Sequence, residues 1–192
     1  MEVERIRGAI ALGIKNFGEN RVQEAAEKRP GLMDVCAGTS QHLIGQLQTN
    51  KARRAIELFD VIQSVDRPKL AESLDRIAGE VGKKQRCLIE VKISNEPTKS
   101  GMELSAASDF IRGFSSYKNL KCEGLMTIGA LDAIPEETRR SFREMNKFFQ
   151  EHKENFGPFP ILSMGMSDDF EMAIEEGSTM VRLGRILFGE RP

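Results

Sequence analysis

Cys87-Leu-Ile-Glu-Val-Lys-Ile93 and Cys122-Glu-Gly-Leu-Met-Thr-Ile128 are two apolar-rich runs with a helical stretch between them, and their spacing decides the fold class. In the first run Ile89, Val91 and Ile93 share one face while Glu90 and Lys92 share the other, the two-residue period of a strand. A polar loop over Asn95–Gly101 and a helix near Ala106–Ser116 separate the two runs. Strand, helix, strand at this length is a parallel βαβ unit. The same alternation extends outward. Upstream lie a helix over Val3–Leu12 closed by Gly13, a strand over Ile14–Gly18, and a helix from about Arg21 to Lys28. A strand at Gln41–Gly45, a basic helix near Thr49–Leu58, a strand at Val61–Val65 and a helix over Lys69–Val81 follow. Pro68 falls near the start of that last helix, where proline is tolerated. Downstream, Pro135 introduces a helix to about His152, then come strand Ile161–Gly165, helix Asp169–Glu176 and strand Met180–Gly184. Seven strands are one short of an eight-stranded barrel, and the chain opens on a helix where a strand ought to precede it. A doubly wound sheet would hold seven, but its glycine-rich first turn is missing.

Composition narrows the function classes. The 192 residues suit one domain with a sizeable core, and 28 Lys+Arg against 29 Asp+Glu leave a net charge of −1. A nucleic-acid binder would show a basic face. The longest apolar stretch, Ala9 to Ile14, is far below the ~20 residues of a membrane span. No basic-then-apolar leader opens the chain. Cys36, Cys87 and Cys122 are far apart, and an odd, sparse count fits reduced thiols in the cytoplasm. With only His42 and His152 besides, no familiar zinc spacing can be formed, so the expectation is a metal-free, cytoplasmic single domain.

Two segments carry chemistry. Ser163-Met-Gly-Met-Ser167 ends a strand and opens a helix: Gly165 permits a close turn, and Ser167 either caps that helix or turns its hydroxyl to an anion at the helix N-terminus. In Met180-Val-Arg-Leu-Gly184, the strand period places Val181 and Leu183 under the helices and leaves Arg182 on the inner face. It sits near a C-terminal strand end, where α/β sites lie. A buried charge needs a partner, so Arg182 faces a ligand or sits in an internal ion pair. Gly184 to Gly189 is spaced like a P-loop, but Glu190 stands where the lysine belongs. Asn20 is a helix cap or a ligand-facing amide. His42 reads as a satisfied core histidine. Glu90 and Lys92 form an interior ion pair or reach separate partners. Two histidines support no Ser–His–Asp set and no carboxylate pair stands out, so no catalytic residue is assigned.

Six segments in order resemble one family: Phe17-Gly-Glu-Asn-Arg-Val-Gln-Glu24, His42-Leu-Ile-Gly45 with Gln48-Thr-Asn-Lys51, Ser64-Val-Asp66, Gly124-Leu-Met-Thr127, Ser163-Met-Gly-Met-Ser167 with Asp169-Phe, and Met180-Val-Arg-Leu-Gly184. The chain from about residue 3 to 189 resembles the pyridoxal-phosphate homeostasis proteins (YggS/PROSC-like). The resemblance implies a (β/α)8 TIM barrel of the alanine-racemase N-terminal-domain type in a single domain over residues 1–192. It implies binding of pyridoxal 5′-phosphate as a carrier or buffer of vitamin B6 without established catalysis. It places the phosphate against Ser167 and the backbone around Gly184 and Arg185, where many members have Thr at the latter position. Arg182 matches the arginine facing the pyridine nitrogen, with Asn20, Ser163, Met164 and Gly165 around the pocket. The family's Schiff-base lysine lies on a first strand that would precede Met1, so the barrel is expected to be N-terminally shortened. The cofactor is then bound non-covalently, or not at all, or by a substitute amine at Lys15 or Lys92. The resemblance suggests a monomer, although open strand edges make a swapped dimer conceivable. The rival readings are a racemase-like enzyme, which needs a lysine base and usually a second domain, and a phosphate-binding interaction barrel without cofactor chemistry.

Overall fold

A computed structural model describes residues 2–93, 100–129, 134–158 and 160–189. Residues 95–99 of the loop expected over Asn95–Gly101 lie outside them. The described residues form one curled parallel sheet ringed by helices. Its strands are β1 (Asn16–Glu19), β2 (Ser40–Leu43), β3 (Val61–Val65), β4 (Gln85–Glu90), β5 (Leu120–Met126), β6 (Ile161–Met166) and β7 (Met180–Arg182). Each strand pairs in parallel with its neighbour in sequence, in the order β1 to β7. The helices are α1 (Val3–Ala11), α2 (Val22–Lys28), α3 (Ala52–Leu58), α4 (Pro68–Glu80), α5 (Leu104–Gly113), α6 (Pro135–His152), α7 (Phe170–Glu175) and α8 (Arg185–Phe188). This is a parallel α/β barrel with seven strands among the described residues.

The two faces of the sheet carry two different cores, because alternate residues of a strand point to opposite sides. Outward-facing Leu43, Ile62, Ile89, Leu125 and Leu162 are all completely buried beneath the helices. Helix α4 meets them with Leu70, Ala71, Leu74, Ile77 and Ala78, one helical stripe, and has Pro68 at its first position. Helix α6 does the same with Phe142, Met145, Phe148 and Phe149. Each such large side chain contributes about 1.5–3 kcal/mol by leaving water. The inner face is smaller: Val61, Leu88 and Met126 form a separate cluster with Ile128 and Ile161 at the barrel's centre.

Element ends depart from the sequence expectation where chain turns intervene. The first strand starts at Asn16, not Ile14. The amide of Ile14 donates to the Ala9 carbonyl and Gly13 sits at φ +91°, so Ile14 belongs to the closing turn of α1. The expected basic helix begins as a 3-10 turn over Thr49–Lys51. Helix α5 starts at Leu104, and its expected end is a 3-10 turn over Phe114–Ser116. The last strand stops at Arg182 because Gly184, at ψ −73°, turns the chain into α8, a short helix that strand and helix periodicities do not signal.

Gly124 is the tightest point of the sheet. It lies inside β5 at φ +147°, and a Cβ there would sit 1.9 Å from the carbonyl oxygen of Ile161 on β6. Backbone cannot retreat as a side-chain tip can, and an L-residue is strained at this φ. Gly124→Ala is therefore expected to lower the unfolding free energy by at least about 3 kcal/mol in urea titration, a loss at the severe end for a single substitution.

Candidate functional site

Polar residues on the inner face form one continuous hydrogen-bonded chain through the barrel. His42 on β2 lies 3.3 Å (Nε2) from Asn16 Oδ1 on β1, and its Nδ1 accepts from Gln63 Nε2 on β3 at 2.9 Å. Because the Gln63 amide nitrogen can only donate, the histidine carries its proton on Nε2. The same amide reaches across the lumen: Ser163 on β6 donates to Gln63 Oε1 at 2.8 Å, and Gln63 Nε2 contacts Met180 Sδ on β7 at 3.4 Å. Arg182 then continues the chain, donating to the Ser163 carbonyl at 2.9 Å, to Ser163 Oγ at 2.8 Å and to the Thr127 carbonyl at 2.7 Å. Thr127 closes it by donating its hydroxyl to the Val91 carbonyl at 2.7 Å. His42 is thus the satisfied core histidine the strand period indicated.

Three charges in this lumen are set by burial. Desolvation is the largest influence on His42, reinforced by the Arg86 cation, and holds it down at about 4, so it is neutral at physiological pH. Burial lowers Arg182 to about 10, against the pull of Asp169 and Glu90, so it remains a cation. Glu90 is only 3% exposed and its Oε2 has no hydrogen-bond partner among the described residues. Burial, with Asp66 adding to it and Arg182 opposing, raises its carboxyl to about 7. Glu90 and Lys92 do not pair: Lys92 Nζ lies 3.4 Å from Glu103 Oε1 instead.

The expected site residues separate into those that converge and those that do not. Ser163 and Arg182 are in direct contact. Gly165, at φ +92°, lets α7 pack closely; a Cβ there would come within 2.5 Å of the Ala173 methyl. Ser167 does not cap the following helix. Asp169 occupies the cap position of α7, its carboxylate accepts from the Met166 amide at 2.6 Å, and the Ser167 hydroxyl instead accepts from the Ile186 amide at 3.3 Å. That contact places Ser167, Gly184 and Arg185 together at the end of β7. The Arg185 guanidinium pairs with Asp168. Around Gly184 there is open space, with nothing within 4 Å of where a Cβ would stand.

Met164 is a correction, and of the two readings of Asn20 the cap falls. Asn20 caps nothing, since α2 begins after Arg21 with no side-chain cap bond. Its backbone is instead wedged at the mouth against Gly45, where a Cβ would lie 2.1 Å from the Asn20 carbonyl oxygen. Met164 does not line the lumen with its side chain. It is completely buried in the outer core beneath the helices, one residue out of phase with inward-facing Ser163. Gln63 is the residue the motifs missed. Its signal was a lone amide inside the apolar run Val61–Val65, which has to find buried partners.

The barrel has known counterparts. The family described as alanine racemase, N-terminal domain, matches residues 2–192. A pyridoxal phosphate homeostasis protein of Aquifex aeolicus is 41% identical over 189 residues, covering 98% of this chain and 82% of its own length. The protein of that name from Escherichia coli is 36% identical over 187 residues, covering 97% of this chain and 80% of its own. Among solved structures, PipY of Synechococcus elongatus with PLP bound superposes with a TM-score of 0.88 at 40% identity, covering 97% of this chain and 87% of PipY. An alanine racemase of Clostridium difficile reaches a TM-score of 0.80 at 18% identity over 99% of this chain and 48% of its own, a likeness of fold.

His42 and Glu90 give opposite pH dependences of stability. A histidine held at about 4, against 6.5 when exposed, costs stability as the pH falls through that interval, because only the unfolded chain then binds the proton. A carboxyl raised from 4.5 to about 7 favours folding below 4.5 and loses that advantage as the pH climbs to 7. His42→Gln should expose the Glu90 slope, with unfolding free energy falling by about 2–3 kcal/mol between pH 4.5 and 7 relative to the parent chain. Glu90→Gln should show the reverse trend between pH 4 and 6.5, both read by urea denaturation across pH.

Proposed function

The chain belongs to the pyridoxal phosphate homeostasis protein family, and on that premise we propose that it binds pyridoxal 5′-phosphate in the barrel lumen and carries or buffers it without catalysing a reaction. The observation that carries this reading is Arg182. It is a half-buried cation at the C-terminal end of the last strand, fixed by three bonds to neutral oxygens, with no carboxylate in hydrogen-bond contact among the described residues. A cation withdrawn from water and bonded only to neutral oxygens favours an anionic or strongly accepting partner beside it.

The residues present fit two of the cofactor's polar groups, its phosphate and its ring nitrogen. The Ser167 hydroxyl and the open space over Gly184 suit a phosphate, with the Arg185 cation beside them. Arg182, which only donates, suits an unprotonated ring nitrogen. Asn20 at the mouth and Ser163 beneath Arg182 complete the ring of contacts. Bound pyridoxal phosphate supplies an aldehyde and a ring that acts as an electron sink when its nitrogen is protonated. An arginine has no proton to give that nitrogen at physiological pH, so this chain weakens the sink, which supports storage over amino-acid chemistry. Lys92 is committed to Glu103, and the reading rests on non-covalent contacts within this chain. Its three cysteines are free, none of its described helices is long and apolar enough to cross a membrane, and we read it as a monomeric barrel acting in the cytoplasm.

Titration with pyridoxal 5′-phosphate, followed by the cofactor's absorbance, tests the seat of the phosphate. Ser167→Asp sets a carboxylate against it and should weaken affinity at least about tenfold. Unchanged affinity would overturn the phosphate assignment. Incubation with L-alanine and the cofactor should give no D-alanine, and turnover would replace the carrier reading by a racemase.

A further inference from the structure

Glu90 is not among the family motifs, and nothing in the binding reading above uses it. It sits on the inner face of β4, 3% exposed, with one carboxyl oxygen lacking any hydrogen-bond partner among the described residues. A buried polar atom without a partner is uncommon in a folded protein and calls for a specific cause. The charged groups around it are few. Asp66, at the end of β3 and paired with Arg67, acts on it unfavourably. Arg182 on β7 acts favourably, without a hydrogen bond between them. Lys92, on the same strand face, is drawn away to Glu103. Asp169 acts on Arg182, and His42 on β2 is neutral.

We propose that Glu90 is a ligand-facing positioning residue of the lumen, and that its carboxyl takes up a proton when the anionic cofactor binds beside Arg182. The inference rests on the binding reading above and adds a residue and a stoichiometry to it. Its logic is charge balance. In the free barrel an ionised Glu90 compensates Arg182 at a distance. A phosphorylated ligand brings its own negative charge into the lumen while its ring takes the place beside Arg182, and the added anion disfavours a second one at Glu90. The protonated acid then has one O–H to donate to an acceptor on the ligand, which gives the orphaned oxygen a partner. The proton comes from solvent, so one ligand binds together with up to one proton.

The test uses the whole chain and pyridoxal 5′-phosphate itself, in weakly buffered solution with a pH-indicating dye, at pH 6 and pH 8. At pH 8 the parent chain should take up most of one proton more per bound ligand than Glu90→Gln, and at pH 6 the difference should nearly vanish. Titrations of the ligand's own groups are common to both proteins and cancel. For a carboxyl near 7 that is fully protonated in the complex, affinity of the parent chain should weaken about tenfold from pH 6 to 8 relative to the variant. If both proteins bind and take up equal numbers of protons, Glu90 does not face the ligand, while the cofactor reading stands. If neither binds, both readings fall together. Should Glu90→Gln not fold, infrared difference spectra of the parent chain decide: a protonated-carboxyl band, shifted by 13C-glutamate labelling, should appear on adding ligand at pH 8. Its absence overturns the proposal.

Discussion

The amide of Gln63 holds the barrel's interior together. Parallel pairing joins each strand only to the next, so pairing alone would leave an open, twisted sheet with its first and last described strands far apart. Gln63 spans the gap. It binds His42 on one side, and Ser163 and Met180 on the other, linking β2 and β3 to β6 and β7 across the lumen. Such buried polar contacts are strong because the surroundings are poor in water, and equally costly if any member is lost. They also fix orientation. Ser163 is held by Gln63 from one side and by Arg182 from the other, so the arginine is aimed by an amide four strands away.

The lumen and the outer layer of the barrel are built by different chemistry. The lumen gathers an imidazole kept neutral, a guanidinium kept charged and a carboxyl poised near neutrality, each set chiefly by removal from water. Among the described residues these groups are held apart, His42 on Asn16 and Gln63, Arg182 on Ser163 and Thr127, and Glu90 with one oxygen unpartnered. The outer layer stays conventional, with close-packed Leu, Ile and Phe between strands and helices. Specificity is confined to the inner face, where each strand offers only two or three positions.

Much of this was legible in the sequence, and the reason is period two. The alternation in Cys87–Ile93 set Glu90 inward and Ile89 outward, and that is the structure found. The same rule put Arg182 inside and would have put Met164 outside, had the motif not drawn it into the pocket. Gly45 and Asn20 belong to separate motifs whose relation appears only in three dimensions, as a backbone-to-backbone approach that leaves no room for a Cβ. Ser167 read as a cap because it precedes a helix, but Asp169 took that position and released the hydroxyl toward α8. The contact between Gln63 and Ser163 spans 100 residues, and no local pattern encodes a meeting that depends on how far the sheet curls.

The strand order also governs how the chain is made. Because every strand pairs with its predecessor, the sheet can lengthen strand by strand as residues leave the ribosome, although each parallel pairing must wait for a whole crossover helix to be made. Contacts between early and late elements cannot be made this way, among them the grip of Gln63 on Ser163 and Met180, and the Arg5 guanidinium on α1 donating to the Phe188 carbonyl on α8, 183 positions later. Synthesis therefore leaves a growing sheet that is well paired but uncurled until its final strands arrive. The lumen is the last part of the described sheet to take shape, since its walls are joined across the centre only once β6 and β7 have arrived.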